Sequence, residues 1–568
     1  MKILNIKGLA IASMLLVGTG SCSDFLYRPA EDTYNIDSFY KTDAQCFQGV
    51  NALYNSPWYD FQRGFVKIGD VLSGNVYYGT DNGYQTFVLK SSDADLKNAS
   101  ASLWSVNAYC NTIIENINLK AGPDVTEATK NTVKGEALVW KGMAYFYLVR
   151  CFGAVPIIHN NGEVIADGRS NSVYRNKIED VYTYIVKDLE KAIELLPASN
   201  KPGRIDKYGA YGLLAKVYLA KSGYGQNGTR NADDLAKAAL YAGKVINESG
   251  RTLTPVYSDI FRLGSNGTKE AVGENLISWH WTIGSQWTCQ NTFQSDLGLA
   301  GFSEFSDSWG TWVGLTIDLQ DAFGEDASSL TRNNSDARRK ATMMMQGDHY
   351  DYFWADKGGF DYDWKNPTSS DNKLTVTYGS ATGSNCVKHI VGDNADHIAG
   401  AGVGLDRMST ALSTHLLRLA DVYLIYAEAV LGNGASTSDV GALKAFNAVR
   451  GRAISNYTPK TSITFDDIFN ERRLELACEG DFWYDFVRLS YYKPAEARTR
   501  LAAQNRGYWS GLEDYYKGKA AKSSVQKTVI NLSEGNVFFS IPFPDTDQSA
   551  NPNLEKEPVA FDFSTISF

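Results

Sequence analysis

Three stretches of sequence decide the fold: TEATKNTVKGEALVWKGMAYFYLVRCFG at residues 126–153, DKYGAYGLLAKVYLAKSG at 206–223 and HLLRLADVYLIYAEAVLGNG at 415–434. Each lacks proline and ends at or near a glycine, as α-helices often do. Aligned, they share an aromatic residue, an alanine four positions later and a leucine four positions after that, which lie near one face of a helix. The three sets are Trp140, Ala144 and Leu148; Tyr211, Ala215 and Leu219; and Tyr423, Ala427 and Leu431.

The second and third stretches are each followed by another helical pattern, at residues 232–249 and 439–452. Helix pairs with small and aromatic residues at fixed offsets are typical of tetratricopeptide-like repeats, which bury a continuous core only when they stack. We therefore expect tetratricopeptide-like helix pairs that stack into a scaffold.

Between residues 253 and 404 the helical periodicity weakens, while glycine, serine, asparagine and tryptophan accumulate. Long irregular stretches in a compact protein usually carry function. We expect a single domain over residues 22–568 that combines the helical scaffold with a variable, loop-rich half carrying short strands. The scaffold would cover about 30–252 and 405–490, the variable region about 253–404, and a C-terminal segment 491–568.

The composition argues against several classes of function. The net charge is −9 with no long basic run, so a nucleic acid partner is not expected. The seven cysteines are scattered singly and the six histidines are dispersed, which indicates neither a zinc site nor a disulfide framework. The content of 12% aromatic residues, with 33 Tyr and 12 Trp, fits a compact extracytoplasmic protein with many ordered loops.

The N-terminus resembles a lipoprotein signal. Lys2 and Lys7 precede an apolar run at residues 9–17, which is too short to span a bilayer. Small residues then lead to Cys22, and cleavage before this cysteine would leave a thiol suited to lipid attachment. We expect residues 1–21 to be a signal peptide and Cys22 to carry the lipid; the alternative is an ordinary secreted protein with a chance cysteine.

Four motifs, in order along the chain, resemble those of the SusD/RagB family of glycan-binding lipoproteins of the Bacteroidetes outer membrane. The first is SCSDFLYRPAED at residues 21–32, and the second is GEALVWKGMAYFYLVRCFGAVPII at 135–158. The third is IFNERRLELACEGDFWYDFVRL at 468–489, and the fourth is FFSIPFPDTDQSANPNLEKEP at 538–558. Two positions depart from the usual family pattern, Phe482 and Asp547.

The resemblance implies an all-α fold in which about four tetratricopeptide-like helix pairs form a scaffold, with a variable loop-rich half. It also implies an oligosaccharide ligand and a SusC-like TonB-dependent transporter of the outer membrane as partner, over which the lipoprotein sits as a lid. The protein would be lipid-anchored in the outer membrane and face the cell exterior. No cofactor is expected.

The chemistry of sugar binding points to aromatic side chains in two irregular regions, residues 69–87 and 253–404. A flat, stiff ring covers the apolar face of a sugar at little entropic cost, and planar polar groups bind its hydroxyls. Trp309 is the best single candidate, because SDSWGTW at residues 306–312 places a glycine between two tryptophans. The predicted glycan-binding residues are Asp70, Tyr77, Tyr84, Trp281, Trp287, Trp309, Trp312 and Trp354.

A tryptophan is more often buried in a core than used as a ligand platform. We assign Trp104, Trp140 and Trp483 to the core because they lie in helical patterns. ISWHWTI at residues 277–283 alternates like a strand, which predicts that one of its two tryptophans is buried and the other exposed.

Glu471, Glu475 and Glu479 are four residues apart, with Arg472 and Arg473 beside the first. Catalysis of glycoside hydrolysis needs two carboxylates on opposite sides of a sugar ring. Three carboxylates on one helical face do not provide that arrangement, so we expect a structural ion network. The segments 361–366 and 392–397 lack a regular calcium-loop spacing and are interpreted as turns.

Three functions remain open. The first is non-catalytic binding of a glycan and its delivery to an outer-membrane transporter. The second is a surface glycoside hydrolase, and the third is a helical-repeat adaptor without a glycan ligand. We do not expect the protein to be an enzyme.

Overall fold

The computed structural model describes residues 39–264, 273–284, 286–303, 308–363, 379–406 and 408–566. The expected lipid-attachment residue Cys22 and the expected signal peptide 1–21 lie outside these residues. Within the described ranges, no helix is both long enough and apolar enough to cross a membrane.

Helices dominate the described structure. The α-helices are α1 (Asp43–Asn51), α2 (Gln62–Val66), α3 (Gly83–Thr86), α4 (Ala94–Lys120), α5 (Glu127–Phe152), α6 (Asn161–Ala166), α7 (Ile178–Leu195), α8 (Lys207–Lys221), α9 (Ala232–Glu248), α10 (Phe293–Leu297), α11 (Ile317–Ala322), α12 (Ala337–Thr342), α13 (Asn394–Ala401), α14 (Leu419–Leu431), α15 (Val440–Ala453), α16 (Phe465–Leu476), α17 (Phe482–Ser490), α18 (Pro494–Ala502), α19 (Leu512–Tyr516) and α20 (Asp545–Ala550).

The strands are short and pair antiparallel, two by two. The pairs are β1 (Val76–Tyr77) with β3 (Gly314–Leu315), β2 (Asn275–Trp279) with β8 (Thr414–Arg418), β4 (Met343–Met345) with β7 (Ser384–Cys386), β5 (Asp348–Tyr350) with β6 (Phe360–Tyr362), β9 (Ser436–Thr437) with β10 (Ile463–Thr464), and β11 (Trp509–Ser510) with β12 (Gln526–Lys527). The expected all-α scaffold with short strands is confirmed.

The scaffold is a run of helices in which each packs on the next. The order of packing is α4, α5, α7, α8, α9, α14 and α15. Side-chain caps define where these helices begin: Thr126 Oγ1 accepts from the Thr129 N–H at the start of α5, and Asp206 accepts from two N–H groups at the start of α8. The alanines at the aligned positions, Ala144, Ala215 and Ala427, are fully buried, as close helix packing requires.

One of the three predicted helices begins later than its sequence pattern. Residues 415–418 belong to strand β8, which pairs with β2, and α14 begins only at Leu419. The strand is buried on both faces, so its apolar residues do not alternate. Without alternation, a short buried strand cannot be distinguished by pattern from the helix that follows it.

A buried ion network joins the variable region to the scaffold. Arg418 at the end of β8 contacts Glu475 at 2.8 Å and Glu479 at 2.6 Å, and Arg338 of α12 contacts Glu471 at 2.6 Å. The remaining members are Glu274, Asp336, Lys388, Arg450 and Arg452. The prediction that the three glutamates form a structural network is therefore confirmed.

The groups of this network stay ionised because they pair with one another. Burial alone would raise the pKa of the Glu475 carboxyl, but Arg452, Arg418 and Arg338 hold it well below its usual range. Removing one partner of such a group leaves a buried charge unpaired, at a cost of about 3–5 kcal/mol.

Candidate functional site

Two clefts on the described surface are lined by tryptophan, and we name them the first and the second aromatic cleft. The first lies where the 3₁₀ turns Ser56–Phe61 and Trp287–Cys289 meet α10. Trp287 is 52% exposed, and its ring packs against Tyr59 with the ring centroids 6.1 Å apart and the planes at 61°. The side chains that matter for its chemistry are Tyr59, Asp60, Arg63, Trp287, Asp296 and Trp309.

Asp296 of α10 fixes two members of the first cleft. Its Oδ1 accepts a hydrogen bond from Trp309 Nε1 at 3.0 Å, and its two oxygens accept from Arg63 at 3.1 and 3.2 Å. The indole of Trp309 therefore has a set orientation, and its ring is half-buried. A preoriented ring loses little conformational freedom when a ligand stacks on it.

Tyr59 presents a neutral hydroxyl to the same cleft. Burial raises the pKa of this phenol to about 12, helped by the negative charges of Asp60 and Asp296. The first cleft thus combines two indole faces with hydroxyl, carboxylate and guanidinium groups, which is a combination suited to a polyhydroxylated ring.

The second aromatic cleft lies on the other side of the 3₁₀ turn Gly310–Trp312. Trp312 is 47% exposed, and Trp509 of β11 forms part of the lining. Tyr77 of β1 also lines this cleft but is only 6% exposed. Three of the predicted binding residues, Trp287, Trp309 and Trp312, therefore retain accessible ring surface.

The prediction that Asp70 and Tyr84 are available to a ligand is wrong. Asp70 is 1% exposed, and its carboxylate accepts hydrogen bonds from the backbone N–H groups of Cys478 at 3.0 Å and Gly480 at 2.7 Å. Tyr84 is also 1% exposed, and its hydroxyl donates to Asp93 at 2.9 Å. Both side chains are held in the core by these bonds.

Trp281 and Trp354 are also in the core rather than on a binding surface. Trp281 is 2% exposed and its Nε1 donates to Thr414 Oγ1 at 3.0 Å, across the β2–β8 pair. Trp354 is 3% exposed and donates to the Phe302 carbonyl at 3.1 Å. Since Trp279 is fully buried as well, the expectation that one of Trp279 and Trp281 is exposed is wrong.

The assignment of Trp140 and Trp483 to the core is confirmed, because neither has exposed surface. Trp104 is half-buried on α4 and packs edge-on against Tyr145, with ring centroids 6.2 Å apart. No three metal-ligating side chains among the described residues come together in a way that could hold a metal ion.

Sequence reasoning missed Tyr59 and Trp509. A signal for Trp509 was available, since GYWSG at residues 507–511 surrounds the tryptophan with glycine and serine just as SDSWGTW surrounds Trp309. No local signal distinguishes Tyr59 from its buried neighbour Trp58, because the difference arises from the packing of a single turn.

Comparisons with known proteins agree with this architecture. The profile of the SusD family (SusD_RagB) matches residues 205–559, and a second profile, described as starch-binding associating with outer membrane, matches residues 45–219. A SusD-like protein of Bacteroides ovatus is 32% identical over 98% of this chain and 98% of its own length.

Solved structures of related proteins have the same fold. One described as a crystal structure with xylogluco-oligosaccharide is 30% identical, with a TM-score of 0.76 over 91% of this chain and 99% of that chain. A SusD-like carbohydrate binding protein from Bacteroides fragilis is 19% identical, with a TM-score of 0.69 over 91% of this chain and all of that chain, which supports the fold alone.

Proposed function

The chain belongs to the SusD family, and from that premise we propose that it binds an oligosaccharide at the cell surface without cleaving it. Relatives in this family include carbohydrate-binding proteins. The observation that carries the proposal is the first aromatic cleft, in which Trp287 is accessible and Trp309 is oriented by Asp296. Stacking of sugar rings on these two indoles would supply the binding energy.

We propose a neutral β-glucan-type polysaccharide such as xyloglucan as the first ligand to test. Support comes from the 30% identical relative that was crystallised with xylogluco-oligosaccharide. The cleft itself fits an uncharged chain, because Arg63 is neutralised by the Asp296 carboxylate and is not left to bind an acidic sugar.

The proposal has two further parts. The protein delivers the glycan to a SusC-like TonB-dependent transporter, and a lipid on Cys22 anchors it so that it faces the cell exterior. They rest on the family membership, on the outer-membrane association in the description of the second profile, and on the sequence pattern around Cys22. Replacing Cys22 by Ala is expected to move the protein out of the membrane fraction, while wild-type protein labelled with a fatty acid stays in it.

Affinity electrophoresis tests the binding function. The chain from residue 23 onward, which keeps every described residue, is run through gels containing xyloglucan, laminarin, starch or a host glycan. Retardation by one glycan class is expected, together with a loss of at least about tenfold in affinity in Trp309→Ala and in Trp287→Ala. Tyr109→Ala is the matched control, since Tyr109 is a 48% exposed aromatic residue on α4 outside both clefts.

Three results would contradict the proposal. Absence of retardation in every gel would favour an adaptor without a glycan ligand. Shortening of the polysaccharide during incubation would favour a glycoside hydrolase. Equal weakening by the Tyr109 substitution and the two tryptophan substitutions would show that the first cleft is not the binding surface.

A further inference from the structure

The second aromatic cleft is built as firmly as the first. Trp312 ends the turn Gly310–Trp312, and its backbone carbonyl accepts a hydrogen bond from Ser380 Oγ at 3.0 Å. The backbone N–H of Trp509 donates to the Ala381 carbonyl at 2.8 Å. Residues 380 and 381 therefore connect the two tryptophans.

The turn Gly310–Trp312 separates the two clefts. Gly310 packs against α10 so closely that a Cβ atom there would lie 2.4 Å from the Asp296 carbonyl oxygen and 2.6 Å from Leu297. Trp309 at one end of the turn is bonded to Asp296, whereas Trp312 at the other end lines the second cleft. Trp309 and Trp312 are three residues apart in sequence and hence at most roughly 11 Å apart, so the two clefts lie close together.

The lining of the second cleft suits an uncharged, polyhydroxylated ligand. Two indoles offer flat apolar faces, and the backbone of residues 379–381 offers polar groups between them. Glu513 is the charged side chain of the lining among the described residues, and Lys517 pairs with it at 2.6 Å. Lys527, which lies over the Trp509 ring, is likewise paired with Asp321 at 3.0 Å.

The indole Nε1 of Trp509 is shielded from water and has no hydrogen-bond partner within the part of the chain that the structure describes, as is also true of the core residues Trp140, Trp279 and Trp483. The contribution of Trp509 to this cleft is therefore the face of its ring.

From these observations we propose that the second aromatic cleft is a separate carbohydrate-binding site, which takes a neutral sugar segment between Trp312 and Trp509. The inference rests on the proposed function, in that both clefts bind glycan. A polysaccharide that engages both clefts, with its main chain or with a branch, gains affinity through the high effective concentration of the second contact. A short oligosaccharide occupies each cleft independently.

Isothermal titration with a short xylogluco-oligosaccharide, or with an oligosaccharide of whichever glycan retards the wild-type chain, tests this directly. The expected stoichiometry is two per chain for the wild type and one for Trp312→Ala and for Trp509→Ala. For the polysaccharide, the apparent Kd is expected to rise at least about tenfold in both variants, because the bivalent contact is lost. Trp509→Phe keeps a ring without the N–H and is expected to retain two sites, the second one weakened.

The outcomes separate this inference from the function on which it rests. A wild-type stoichiometry of one, with polysaccharide affinity unchanged in Trp312→Ala, would overturn the second site and leave the proposed function standing. Absence of any binding by the wild type would overturn both. Trp312 is half-exposed, so Trp312→Ala is not expected to disturb the fold, and an unchanged melting temperature checks that it has not.

Discussion

Asp70 makes the stability of this protein depend on pH in a way that can be measured. Its carboxyl is fully buried, and burial raises its pKa from 3.8 to about 7 despite the N–H groups of Gly480 and Cys478 that point at it. The folded chain therefore binds the Asp70 proton more tightly than the unfolded chain. The resulting stabilisation is fully present below pH 3.8 and is lost as the pH rises through about 7.

The size of this effect follows from the shift. One pKa unit corresponds to about 1.4 kcal/mol, so a shift of about three units removes about 4 kcal/mol of folding free energy between pH 4 and pH 7. Asp70→Asn has the same shape but cannot titrate. The free energy of unfolding of the wild type minus that of Asp70→Asn is therefore expected to fall by about 4 kcal/mol over this range.

Urea denaturation of both proteins, followed by tryptophan fluorescence at several pH values, measures this difference. A difference that stays constant with pH would refute the reasoning, because it would mean that Asp70 titrates alike in the folded and unfolded chains. Affinity electrophoresis of Asp70→Asn near neutral pH is expected to match the wild type, since the carboxyl is not at the surface. A loss of glycan binding by the folded variant would contradict the reassignment of Asp70 to the core.

The remaining predictions concern the core and the ion network. Trp281→Ala is expected to lower the free energy of unfolding in urea by about 3–5 kcal/mol while leaving glycan affinity unchanged, and a selective loss of binding would contradict its core assignment. Arg418→Met removes a cation that contacts Glu274, Glu475 and Glu479 together and leaves these buried carboxylates under-neutralised, so the free energy of unfolding is expected to drop by about 3–5 kcal/mol; a neutral result would show that Arg418 is not needed for stability. Gly69→Ala would place a Cβ 2.4 Å from the backbone of residue 480 and is expected to lower the melting temperature, whereas the control Gly243→Ala in α9, where the new Cβ would lie at an ordinary contact distance of 3.6 Å from Tyr426, is expected to raise it slightly.

Local pattern predicted the scaffold because the information needed is local. Residues 126–153 and 206–223 carry helical periodicity, side-chain caps and terminal glycines, and the structure has α5 and α8 there. The same reasoning failed at residues 415–418, since two-sided burial removed the alternation that identifies a strand.

The candidate site was predictable only in part, because exposure of a loop tryptophan depends on residues far away in sequence. Trp281 is buried by its contact with Thr414, and Trp354 by its contact with Phe302. Trp287 and Trp312, with equally polar neighbours, remain exposed. Sequence therefore identified the tryptophan-rich region, but long-range packing decided which rings reach the surface.

The ion network around α16 also determines how the protein unfolds. In a simple repeat array each unit contacts only its neighbours, so end repeats can fray independently. Here Arg338 of the variable region and Arg418 of strand β8 are bonded to glutamates of α16 and of the turn that follows it. Unfolding of the variable region alone, or of α16 alone, would leave buried charges without their partners, so the scaffold and the variable region are expected to unfold as one cooperative unit.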